Sequence, residues 1–215
     1  RRYTNIPAIE LAEQLVNITP DPLGKVLFAP GGTSAVGMAL KLARMATGNF
    51  KTISMWDSFH GASLDAISVG GESLFRAGIG PLLTGCEHVP PADPYRCLWN
   101  PGGHCEVCDL KCARYIEYVM DKEGDVAAVI AEPIRCTAVN PPPQGYWKQV
   151  RETCDRHGAL LVDNRPSFDL YINLKDARPL PETLQRLSPH TGMPVETLTL
   201  KVDALRGTRS FKPVL

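Results

Sequence analysis

The sequence has no excess of charge of either sign, because 23 Lys and Arg stand against 23 Asp and Glu in 215 residues. That balance excludes the basic footprint on which nucleic-acid binding usually rests. Long apolar runs are also missing: Val126–Ala131 is closed by Glu132, far short of the roughly 18 residues that cross a membrane. Arg1 and Arg2 are followed by no apolar stretch, which argues against a secretory signal. There is no initiator Met, and the expectation is a start inside a longer chain. No internal repeat is visible. A hydrophobic content of 44% excludes intrinsic disorder for most of the chain and is sufficient for one large domain or two small ones.

Cysteine, by contrast, is present in quantity. There are seven, an odd number, and Cys97, Cys105, Cys108 and Cys112 lie close together with His104. In a neutral chain without a signal, free thiols or a metal site are expected ahead of a disulfide framework, and the expected location is the cytoplasm. Four thiolates suit tetrahedral zinc, and two readings stay open: a structural zinc that stabilises a binding module at 94–119, or unbound thiols.

The order of elements reads as α/β. Ile9–Val16 has helical spacing, Lys25–Ala29 is a short apolar run expected as a strand, and Pro30-Gly31-Gly32-Thr33 is the turn into a helix over 34–47 that Gly48 stops. Lys51–Met55 reads as the next strand, followed by a loop over 56–63 into another helix. The stretch 81–103 holds five of the 19 prolines and reads as an excursion. Tyr115–Lys122 reads as helix, Val126–Ala131 as a buried strand, Gly145–His157 as an amphipathic helix, and Ala159–Val162 as a further buried strand ending at Asp163. Alternation of this kind implies a mostly parallel sheet with functional groups at the strand carboxyl ends. After Asp163 the character changes. Residues 164–215 contain no Cys and six Pro, with no helix expected beyond Leu180–Leu187.

The groups that could carry chemistry sit at those strand ends and turns. Gly31-Gly32-Thr33-Ser34 could hold a phosphate on open backbone amides, or be a plain helix cap made by Thr33 or Ser34. Phe59 could stack on a planar cofactor beside His60, or both could be core residues. Glu132 and Asp163 could each pair with a ring nitrogen or cation, or cap a turn.

Taken in order, these pieces resemble a family. FAPGGTSAVGMALKLAR at 28–44, SFHGAS at 58–63, SVGGESLFRAGIGPLL at 68–83, AAVIAEPI at 127–134 and GYWKQVRETCDRHGALLVD at 145–163 are similar to the class III (omega) aminotransferases, which use pyridoxal 5'-phosphate. The insert PYRC…CDLKCARYIEYV at 94–119 is similar to a branch containing ammonia-lyases that act on a hydroxy-aminoethylphosphonate. The resemblance implies a three-layer fold-type I large domain, incomplete, over 1–163, with 164–215 a divergent tail. It implies a homodimer that transfers an amino group between an amine or amino acid and a keto acid, with elimination of ammonia from an amino-phosphonate as the alternative. It implies that Gly32 and Thr33 bind the cofactor phosphate, that Phe59 stacks on the ring with His60 beside it, that Glu132 lies near the ring, and that Asp163 holds the ring nitrogen protonated.

The chain departs from that pattern in three places. Gly37 stands where the family has an acidic residue. One apolar residue is missing before Asp163, and a shift of one residue reverses the face on which a strand side chain projects. The family's Schiff-base lysine lies about thirty residues beyond the Asp, and here the nearest counterpart is Lys201, 38 residues on. A truncated or frameshifted chain without a working lysine would have this pattern.

Overall fold

The computed structural model describes residues 5–19, 23–101, 105, 108–137, 141–163, 181, 185 and 194–205, the side chains of 201–205 excepted. The chain divides into two compact units, Arg1–Arg165 and Pro166–Leu215.

The first unit is built on a four-stranded sheet: β1 (Lys51–Met55), β2 (Cys86–Val89), β3 (Val126–Ala131) and β4 (Leu160–Asp163), in the order β2-β1-β3-β4. Every neighbouring pair is parallel. The helices are α1 (Ile6–Ile18), α2 (Gly32–Thr47), α3 (Leu64–Val69), α4 (Ser73–Arg76), α5 (Lys111–Glu123) and α6 (Tyr146–His157).

The central strand β3 is buried along its whole length, which is why VAAVIA reads as an unbroken apolar run: helices cover both faces. Its side chains divide between them. Val129 and Ala131 pack with Ile116 of α5 and Val150 of α6, while Ile130 packs with Val36 and Leu40 of α2 and with Ala66 of α3. The result is a three-layer α/β unit. Glycines end the helices where the chain must reverse. Gly48 takes φ 73° and returns its N–H to the Arg44 carbonyl, and Gly158 closes α6 in the same left-handed conformation.

Three expectations from sequence are corrected. Lys25–Ala29 is not a strand; Leu27 and Phe28 are exposed, so the apolar run has no buried face to commit it to a sheet. β2 lies inside the stretch read as an excursion. Its sequence, CEHV, has only Val89 fully buried, a pattern too short and polar to stand out among prolines. In the second unit, α7 (Val195–Leu205) occupies a segment where no helix was expected. Val195, Thr197, Thr199 and Val202 are β-branched and weak helix formers, while Leu198 is completely buried. Of the expected segment 180–187, only positions 181 and 185 are described.

No helix among the described residues is long and apolar enough to cross a membrane.

Candidate functional site

Helix α2 begins at the carboxyl end of the sheet without a side-chain cap. Its N-cap is Gly31, and the first intrahelical bond, from Ala35 N–H to the Gly31 carbonyl, spans 3.0 Å. The amides of Gly32, Thr33 and Ser34 therefore precede the hydrogen-bonded ladder, at the positive end of a 16-residue helix. A Cβ placed on Gly31 or Gly32 would meet nothing within 4 Å. This is an open amide nest rather than the hydroxyl cap that Thr33 or Ser34 could have provided.

The Thr33 hydroxyl faces the loop that leaves β1. Thr33 Oγ1 accepts from the Ala62 amide at 3.4 Å. Gly61 takes φ 133°, and a Cβ there would stand 2.4 Å from the same oxygen. Only glycine allows the loop to lie this close to the start of α2. One turn further along α2, a Cβ on Gly37 would stand 2.4 Å from Asp65 Oδ2. The Asp65 carboxylate, which accepts from the Ser63 hydroxyl and the Ala66 amide, fills the space that a side chain at 37 would take.

Glu132, at the end of β3, is only 7% exposed. One carboxylate oxygen accepts from the Phe59 amide at 3.0 Å and the other from the Cys136 amide at 2.9 Å. The Phe59 ring is half-buried and packs on Phe75 with centroids 4.7 Å apart. His60, 3% exposed, is held by burial at a pKa of about 4, against an opposing pull from Glu132. It is a neutral imidazole at pH 7. The contacts of Thr33 with the Gly61–Ala62 loop and of Glu132 with Phe59 thus bring Gly32, Thr33, Phe59, His60 and Glu132 into one neighbourhood.

Asp163 is placed differently. In the sheet it pairs with Ala131, whose side chain belongs to the α5–α6 core. Leu161 packs on that same face and Val162 on the α2 face, so alternation turns Asp163 towards α6. There it lines a cavity of about 280 Å³ together with Ala131, Pro133, Trp147, Leu161 and Val162. Asp163 and the α2 nest lie on opposite faces of the sheet, as a strand one residue short would dictate. Lys201 falls within α7 of the second unit, and its side chain lies outside the described residues.

Two readings stood open for Cys97, Cys105, Cys108 and Cys112, a structural zinc or unbound thiols. None of the seven cysteines is in a disulfide, and no group of three or more potential ligands is gathered among the described residues. His104 is outside them. Cys97, Cys108 and Cys112 are instead buried as small apolar side chains, and burial pushes the Cys112 thiol up to about 11.

Sequence reasoning missed Arg135. Its side chain is 8% exposed and pairs with Asp57 at 3.2 Å and Asp93 at 3.4 Å. It also lines a small cavity with Ser58, Glu132 and Tyr146. The only signal was an arginine directly after the Glu-Pro-Ile that closes a buried strand.

The chain is 53% identical over 174 residues to (R)-1-hydroxy-2-aminoethylphosphonate ammonia-lyase of Vibrio splendidus, an overlap of 75% of this chain and 36% of that protein. It is 37% identical over 161 residues to acetylornithine aminotransferase of Methanopyrus kandleri, again covering 36% of the relative. The fold superimposes on an amine transaminase of an uncultivated Pseudomonas species, solved in its PLP-bound form, with TM-score 0.71 and 33% identity over 76% of this chain and 39% of the other. The chain therefore spans little more than a third of the length of these proteins. Residues 1–164 match the family described as Aminotransferase class-III, and the chain belongs to that family.

Proposed function

We propose that residues 1–163 form the phosphate- and ring-binding part of a pyridoxal-phosphate-dependent aminotransferase. The observation that carries this reading is the uncapped, glycine-lined start of α2 facing the Phe59 loop, an anion nest beside an aromatic ring. The residues fit the cofactor: the amides of Gly32 and Thr33 suit a phosphate, and the open space over Gly31 and Gly32 leaves room for one. Phe59 supplies a ring face, and Glu132 fixes the backbone on which that face is mounted. His60 contributes a neutral imidazole, which adds no positive charge to the ring's surroundings. When bound, the pyridine ring supplies an electron sink for the charge left at the substrate's alpha carbon by proton removal.

The reaction of the whole protein is amino-group transfer from an amine or amino acid to a keto acid. Elimination of ammonia from an amino-phosphonate is the second reading, supported by the 53% identity to a lyase of that kind. Steady-state assay separates them: dependence on a keto acid supports transfer, and ammonia release without one supports elimination. The 215-residue chain by itself is expected to hold the cofactor without covalent attachment. Borohydride reduction and peptide mapping test this, and stoichiometric label at Lys201 would overturn it. Failure of the chain to bind the cofactor at all would sink the reading.

The working form is a homodimer in the cytoplasm. Helix α1 has no buried residue, and Ile6 and Ile18 on it are 70% and 77% exposed, an apolar surface suited to a partner. A monodisperse 23.5 kDa species in sedimentation would count against the dimer. Seven cysteines without a disulfide among them suit a reducing compartment.

A further inference from the structure

Three segments leave the carboxyl ends of neighbouring strands, and one side chain joins them. Asp57 follows β1, Asp93 follows β2, and Arg135 follows β3. The Arg135 guanidinium donates through Nη1 to Asp57 at 3.2 Å and through Nη2 to Asp93 at 3.4 Å. Each aspartate is itself fixed. Asp93 Oδ1 accepts from the amides of Tyr95 and Arg96, both at 2.9 Å. The Asp57 carbonyl accepts from the Thr137 hydroxyl at 2.5 Å, and its backbone takes φ 59°, a left-handed conformation that neighbouring contacts must hold in a non-glycine residue.

The segments tied in this way also form the ring side of the candidate site. Asp57 is two residues before Phe59, and Arg135 is three after Glu132. The bond from the Phe59 amide to Glu132 spans the same two segments as the Arg135–Asp57 pair. Without the guanidinium, Asp57 and Asp93 would lose the cation that joins their two segments, and the Asp93 side chain that it pairs with is partly buried. The segments would then separate along the line that Phe59 and Glu132 bridge. A lysine would not restore the arrangement, because an ammonium is a point charge without the planar fork that reaches two partners on different segments.

We propose that Arg135 is a positioning residue for the ring end of the cofactor site, holding Phe59 and Glu132 in register through Asp57 and Asp93. It acts on the ring side only, since the phosphate nest is made by α2 and the loop at Gly61–Ala62. This inference rests on the cofactor reading above.

The test separates ring from phosphate. Pyridoxal 5'-phosphate binding is followed by absorbance and induced circular dichroism, and inorganic phosphate binding by equilibrium dialysis, for the unchanged chain, Arg135→Met, Arg135→Lys and Asp57→Asn. Asp57 is largely exposed, so its variant keeps the experiment meaningful if Arg135→Met fails to fold. The expected result is about a 10-fold or greater loss of cofactor affinity in both Arg135 variants, of the size seen when a supporting residue is removed behind a bound group. A smaller loss in Asp57→Asn and a weakened dichroism band should accompany it, with phosphate affinity unchanged. Equal loss of cofactor and phosphate binding would make Arg135 a general structural brace and overturn the proposal, as would cofactor binding unchanged in all variants. An unchanged chain that binds neither ligand sinks the cofactor reading, and the positioning role falls with it.

Discussion

The two sides of the sheet's carboxyl edge are built on different terms. On the α2 side, Thr33, Gly61, Phe59 and Glu132 are joined by hydrogen bonds and close contacts between segments distant in sequence. On the β4 side, the face on which Asp163 projects follows from strand register, opposite Ala131 and beside the α6 cavity. A network of contacts survives small changes in strand length because each member is held by others. A residue placed by alternation moves to the opposite face when one residue is lost. A likeness in residues and their order therefore tolerates a change of strand length in the first arrangement and not in the second.

The most damaging way to break the networked side is at Gly71. A Cβ there would stand 2.1 Å from the Met55 carbonyl oxygen and 2.5 Å from the Trp56 Cα, backbone atoms at the root of the Phe59 loop. Gly71→Ala is expected to cost roughly 3 kcal/mol or more in urea unfolding, and to abolish cofactor binding. Next is pH. Burial depresses the His60 pKa from 6.5 to about 4, so between those values the unfolded chain binds the proton more readily and stability falls as pH falls. Above pH 6.5 the contribution is complete, and over the window it amounts to at most about 3 kcal/mol. His88, also depressed by burial and by Arg76, adds to the same slope. Unfolding at pH 7 and pH 4.5 should show the loss, and His60→Gln should flatten it.

Glu132→Ala removes the acceptor of two amide donors and is expected to cost roughly 2 kcal/mol, with weaker cofactor binding. Glu132→Gln, which keeps one carbonyl acceptor, should recover part of both. Calorimetry and cofactor titration check the pair. The smallest effect on cofactor binding is expected on the β4 side: Asp163→Asn, on the face away from the α2 nest, should leave cofactor affinity within about twofold. Inserting one valine between Val162 and Asp163 sharpens the contrast, since it turns the acid towards the α2 face. Tighter cofactor binding by the insertion variant is the expected outcome, and an affinity equal to that of the unchanged chain would remove the register argument.

What could be read from sequence divides along the same line. β1, β3, α2 and the glycine-rich turn were legible because burial on both faces, helical spacing and turn residues are local signals. β2 was hidden by its four-residue, half-polar sequence. The Arg135 clasp was invisible because its partners lie 78 and 42 residues away, and no periodicity relates them. Lys25–Ala29 misled because an apolar run signals a strand only where a neighbour is available to pair with it.

Gly37 and Asp65 have a consequence of another kind. The carboxylate occupies the volume that a side chain at 37 would need, so a residue larger than glycine there requires Asp65 to turn away from the Ser63 hydroxyl and Ala66 amide it accepts from. In a library randomised at both, Gly37 should be recovered with Asp65, and larger residues at 37 only where 65 has become small. The effect of a change at 37 is thus read only together with the residue at 65.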